Sequence, residues 1–184
     1  MVRPFILRTD GRFRRFSYGA VSLVALLLLI LPRTAAAQQT AADSLAGSAV
    51  CTFEDGKGMS ARYKPVTVRN ETAPAGKVWA PGGLAITMFT EAEVSIASTS
   101  IPPGAYTMYL LPGRKDWTLI VSRNVTIDSK YDQNQDLGRA TMQTGELSRP
   151  EGELKIAFGH LGPKRCEINV DYGKTRAWVD FVQK

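Results

Sequence analysis

The stretch IPPGAYTMYLLPGRKDWTLIVS, residues 101–122, decides the fold. Pro102-Pro103-Gly104 has the chemistry of a turn, since two prolines fix φ and the glycine permits reversal. Ala105 to Leu111 then alternates, with Tyr106, Met108 and Leu110 on one face. Pro112 to Asp116 reads as a loop, and Trp117 to Ser122 returns with Trp117, Leu119 and Val121 on one face. Two β-rich runs around a short glycine-containing loop predict a hairpin.

The same period-2 pattern recurs in both directions. Val66 and Val68, Val94 and Ile96, Leu154 to Phe158, Cys166 to Val170, and Ala177 to Phe181 all alternate apolar with polar or small residues. Asp171-Tyr172-Gly173-Lys174 is expected to join the last two strands, and Gly159-His160-Leu161-Gly162 to form a turn. No window shows a helical stripe, and there is no internal repeat. Roughly eight to ten short antiparallel strands predict an all-β sandwich.

Upstream, Arg12, Arg14 and Arg15 flank fifteen uncharged, mostly apolar residues from Ser17 to Leu31, and Ala35-Ala36-Ala37 follows. A basic flank, a short apolar run and a small-x-small site predict a secretory signal peptide over residues 1–37, with Gln38 as the new N-terminus. An uncleaved anchor needs roughly 20 apolar residues. A lipoprotein signal needs a cysteine directly after the run, whereas Cys51 lies 20 residues beyond Leu31. Phe16-Ser17-Tyr18 fits a twin-arginine signal poorly. The expected localisation is the periplasm or the exterior, with no stable membrane anchor after processing. Residues 38–49, rich in Ala, Gln, Thr and Ser, read as a flexible leader before a single domain over 50–184.

Processing also changes the charge. Residues 1–37 hold six of the 23 basic and one of the 17 acidic side chains, which leaves 17 against 16, a net charge of +1. A nucleic-acid partner would call for a basic excess that survives processing, so none is expected.

Cys51 and Cys166 both survive processing. In an oxidising compartment an even pair points to a disulfide. The strand pattern places Cys166 on the face of Ile168 and Val170, and Cys51 on that of Phe53. Two buried free thiols are the alternative.

The motifs resemble a bacterial family of exported all-β proteins, domain of unknown function 2911. They are Cys51-Thr52-Phe53-Glu54-Asp55-Gly56-Lys57, Gly76-Lys77-Val78-Trp79, Ile101-Pro102-Pro103-Gly104-Ala105-Tyr106-Thr107, Pro112-Gly113, Asp116-Trp117-Thr118-Leu119-Ile120 and Asp136-Leu137-Gly138-Arg139. The likeness runs over about residues 50–182 and implies no activity. After Trp79 the family has Arg-Thr-Gly-Ala-Asn-Glu, while this chain has Ala80-Pro81-Gly82-Gly83-Leu84-Ala85. The polar groups of that segment are gone, so no site residue transfers by resemblance.

Enzyme signatures are sparse. The single histidine, His160, excludes a multi-histidine metal site. No Gly-x-Ser-x-Gly, phosphate-binding glycine loop or His-Glu-x-x-His is present, so no catalytic residue and no cofactor is assigned. Asp132, Asn134 and Asp136 carry oxygen ligands at positions 1, 3 and 5 of a calcium-loop pattern, but Leu137 and Gln143 stand where that pattern needs glycine and glutamate. Trp79 and Trp178 are candidate ligand-binding aromatics, Trp178 because it faces away from Val179 and Phe181. Three functions remain open. The first is a non-catalytic binding module for a protein, glycan or small molecule. The second is a carboxylate hydrolase acting on envelope or polymeric glycan substrates, and the third is a structural envelope protein.

Overall fold

Among the described residues, nine antiparallel strands are joined edge to edge. The structure is a computed structural model that describes residues 47–69, 73–125 and 130–184. The expected signal peptide lies outside them, as does the leader up to residue 46. The strands are β1 (Gly47–Thr52), β2 (Gly58–Tyr63), β3 (Ile86–Thr90), β4 (Val94–Ile96), β5 (Thr99–Ile101), β6 (Gly104–Pro112), β7 (Trp117–Ser122), β8 (Asp136–Gly162) and β9 (Arg165–Gln183). Their order across the sheet is β1-β2-β3-β6-β7-β8-β9-β4-β5. The expected all-β architecture is observed, and β1 starts three residues ahead of the expected domain boundary.

The β6–β7 hairpin forms as read, with Pro112 paired to Trp117 and Met108 to Val121. Pro112 belongs to the strand, so the tip is Gly113 to Asp116. Both faces of this hairpin are buried. Met108, Leu110, Leu119 and Val121 enter the main core, while Tyr109 and Ile120 join Ala85 in a second, smaller one. Simple alternation predicts only the first. The second exists because Val78, Ala80 and Tyr131 fold over the outer face.

Long strands fold the sheet onto itself. Residues 136–142 of β8 pair with β7, and residues 143–146 pair with β9. The chain of β9 doubles back. The Gln183 amide donates to the Lys164 carbonyl at 2.7 Å, Arg165 Nε donates to Asp180 at 2.8 Å, and Arg176 forks onto Asp171 at 2.7 Å. A straight strand would hold Lys164 and Gln183 about 60 Å apart. The reversal falls at Gly173, where φ is 59°, a value that glycine adopts without steric cost. The expected reversal over Asp171 to Lys174 therefore exists inside one continuous ladder. β8 passes this tip, with Glu151 opposite Gly173, and then pairs Lys155 to Gly162 with the first arm of β9.

Two sequence expectations change. Gly159 to Gly162 continues β8 and is not a turn; the chain turns at Pro163 and Lys164, because Phe158, Gly159 and His160 find ladder partners in Ile168, Glu167 and Cys166. Val66 to Val68 is not a full strand. It meets β8 through one bridge, Thr67 to Glu153, and hydrogen bonds from Val68 and Leu154. Pro65, which has no N–H to donate, stands at its start.

Apolar side chains from both halves of the folded sheet meet in one core. Ile86, Met88, Leu119 and Val121 face Ile156, Ile168, Val170 and Phe181. Cys51 of β1 is bonded to Cys166 of β9 across this core, with Cα atoms 6.3 Å apart. The motif Asp136-Leu137-Gly138-Arg139 also has a packing reason. A Cβ on Gly138 would stand 2.6 Å from Thr99 Cγ2, and the β-branched threonine has few rotamers to yield with. Gly138→Ala is therefore expected to cost about 1–3 kcal/mol, read as a lower melting temperature. An unchanged melt would show that β5 is free to move away.

Candidate functional site

Two of the concavities among the described residues border β8. The first is a cleft of about 600 Å³ at the end of the folded sheet. It sits between the β6–β7 tip and the β9 reversal. Trp117, buried at its floor, packs edge-on against Trp79 with ring centroids 6.3 Å apart. Arg114, Lys115, Lys174 and Glu146 line its mouth. Thr144 Oγ1 donates to the Lys115 carbonyl, and the Gly76 amide donates to the Pro112 carbonyl at 2.7 Å. These bonds hold the tip while leaving its side chains exposed.

The second is a groove of about 340 Å³ on the outer face of β8 and β9, extending to Ser95 of β4. Trp178 is half-buried at its edge. Strand alternation turns Ala177 and Phe181 into the core and Trp178 outward, as the sequence predicts. Gln143 is its ladder partner, and Glu167 and Asp180 share the groove. Asp180 accepts from Arg165, and Glu167 Oε1 accepts from Asn169 at 3.1 Å. The benzo edge of Trp178 lies over Gly145. A Cβ there would sit 3.2 Å from the ring, so the absence of a side chain is what lets the indole settle. Gly145 also lines the end cleft, so the edge of the indole lies beside a residue of the cleft.

The other sequence candidates fall elsewhere. Trp79 is held by hydrogen bonds to Leu110 of 2.7 and 3.1 Å and packs on Tyr172 at 5.0 Å. It joins an aromatic cluster against the core and is separate from Trp178. The run after it, Ala80 to Ala85, lines neither cavity. Pro81–Gly83 is a single 3-10 turn, and Ala80 and Ala85 cover Tyr109 and Ile120.

Asp132 caps a second 3-10 turn, Gln133–Gln135, by accepting from the Asn134 amide at 2.9 Å. Asp136 accepts from Arg139 Nε at 2.7 Å and from the Tyr131 hydroxyl at 2.9 Å. A guanidinium thus lies where a cation bound to Asp136 would stand. Burial, and then the bond to Asp136, push the Tyr131 hydroxyl above its ordinary range, so it remains a donor. Among the described residues, no group of three or more His, Cys, Asp or Glu side chains is placed to hold a metal ion. His160 is exposed, and its Nε2 lies 2.6 Å from the Gly162 carbonyl.

A family model described as a protein of unknown function (DUF2911) matches residues 58–181. The chain belongs to this family. The DUF2911 match includes Trp79, Trp178, the Gly113 to Asp116 tip and Cys166, and begins after Cys51. No curated protein and no solved structure matches the chain. Within the DUF2911 fold, Arg114, Lys115 and Lys174 escape a sequence reading because they look like ordinary loop charges. Their only signal is that two turns, far apart in sequence, are both basic. Thr141 and Gln143 on the outer face of β8 gain their neighbours only once β9 lies beside them.

Proposed function

We propose that this DUF2911 protein is an exported, non-catalytic binding module whose ligand is a glycan-like polymer. The polymer lies on the outer face of β8 and β9. One observation carries the reading: a partly exposed indole, Trp178, settled over Gly145 and bordered by Gln143, Glu167 and Asp180. An aromatic surface ringed by planar hydrogen-bonding groups matches a sugar ring, which offers an apolar face and polar edges. Hydrolysis would need two carboxylates facing each other across the substrate. Among the described residues lining it, the end cleft has one carboxylate, Glu146, and in the groove Asp180 is tied to Arg165. Export rests on the sequence signals and is compatible with the Cys51–Cys166 bond.

Calorimetric titration of the mature protein with neutral β-linked oligosaccharides tests the reading. Trp178→Ala is expected to weaken binding about tenfold or more, that is about 1.4 kcal/mol, at an unchanged melting temperature. Trp178→Phe is expected to retain part of the affinity. No binding by the native protein, or equal affinity in the alanine variant, overturns it. N-terminal sequencing of the exported protein is expected to begin at Gln38; retention of residues 1–37 would refute processing there.

A further inference from the structure

The geometry points to an extended stretch of a linear glycan, bound along its length, with one ring on Trp178 and a second apolar contact further along β9 at Val182 and Ala97. This inference rests on the proposed binding function and narrows its ligand to a chain of several units. The groove follows the second arm of β9, where Trp178, Asp180 and Val182 all line it. Ala177 and Phe181 on the same arm are buried in the core, so strand alternation turns the other three outward. Trp178 and Val182 stand four residues apart, about 13 Å at the rise of a strand. One ring does not cover both, and a chain with a ring at each carries at least one unit between them. Val182 is 41% exposed. Of the large apolar side chains left exposed among the described residues, it is the one that lines this groove.

A strained residue stands at the same groove. Ala97 lines it with a φ of 48°, the one positive value at a non-glycine position among the described residues. The tight turn from β4 to β5 calls for positive φ and not for a methyl group. Glycine would take that conformation without strain, so the methyl group is kept against local preference at a residue that lines the groove. Between the two apolar contacts stand Asp180 and Arg165. Arg165 Nε donates to Asp180 at 2.8 Å, and the side chains are 29% and 54% exposed. Each holds the other in place and still offers a polar edge to the hydroxyls of an intervening unit. The sequence of surfaces along β9 is thus apolar, polar and apolar. Its spacing is fixed as well: Val182 pairs with Ser95 of β4, whose Oγ donates to the Val182 carbonyl at 3.2 Å. The second contact is therefore in place before any ligand arrives.

The test titrates residues 38–184 with a neutral β-linked disaccharide and with the hexasaccharide of the same linkage. The hexasaccharide is expected to bind about tenfold or more tightly than the disaccharide. Val182→Ala and Ala97→Gly are each expected to weaken hexasaccharide binding about fourfold, the worth of roughly one buried methyl group. Together they are expected to remove most of the advantage of the long chain while sparing the disaccharide. Trp178→Ala is expected to weaken both ligands. If the two oligosaccharides bind the native protein equally, or if either substitution at the second contact leaves hexasaccharide binding unchanged, the ligand ends at Trp178; the extended-chain inference then falls and the binding module stands. If neither oligosaccharide binds, or if Trp178→Ala weakens neither, both readings fall. Val182 and Ala97 are exposed, and in Ala97→Gly the relief of strain offsets the freer unfolded chain, so unchanged thermal melts show that the variants fold.

Discussion

Replacing Cys51 and Cys166 together by alanine is expected to lower the unfolding free energy by about 2–5 kcal/mol. The bond closes a separation of 115 residues. On the chain-entropy account a loop of that order restricts the unfolded chain by about 4.7 kcal/mol, and cavity and strain terms widen the range. Position adds to loop length. Cys51 lies on β1, at one end of the strand order, and Cys166 on β9 of the overlying part. The bond thus fastens an edge strand whose one ladder partner among the described residues is β2. Both residues are buried, at 5% and 0% exposure, so reductant reaches the bond only after local opening. Urea unfolding of residues 38–184, oxidised against double variant, measures the difference. Equal midpoints and slopes would show that the sheet closes without its covalent tie.

Arg176→Met is expected to cost about 2–4 kcal/mol, because it leaves the Asp171 carboxylate buried without its counter-charge. Asp171 has a side-chain exposure of 4%, and both of its oxygens accept from Arg176 at 2.7 Å. The pair spans the reversal of β9 at Gly173 and holds its two arms together. Arg176 itself is 45% exposed, so water partly screens the interaction, which places the cost below that of a fully enclosed pair. Asp171→Asn combined with Arg176→Met is expected to recover part of the loss, since the uncompensated charge is gone. Urea midpoints of the single and double variants decide this. A single variant as stable as the native protein would mean that solvent replaces the guanidinium freely.

Much of the fold was readable because its strands alternate. Leu154 to Phe158 and Ala177 to Phe181 each show which side chains face inward, and the same alternation turned Trp178 outward. Tyr109 escaped this logic. Its face is covered by Val78, Ala80 and Tyr131, segments whose placement depends on loops and not on the period of β6. His160 differs for a related reason: glycines beside it suggest a turn, yet Gly159 is paired with Glu167 across a ladder. The placement of Trp79 is also non-local: the Leu110 bridge draws it against Trp117 and Tyr172.

Local chemistry in the sequence determined what depends on neighbours along the chain: strand periodicity, the 101–122 hairpin, the reversal around Gly173, and the cysteine faces that made the bond sterically possible. Tertiary structure decided what depends on residues distant in sequence. It placed the β6–β7 tip beside the β9 reversal, so that Arg114, Lys115 and Lys174 share one cleft. It also laid Trp178 over Gly145, so that the cleft adjoins an aromatic surface. A site built from two turns and a glycine has no period or motif of its own; it exists only once the long strands β8 and β9 have folded back on each other.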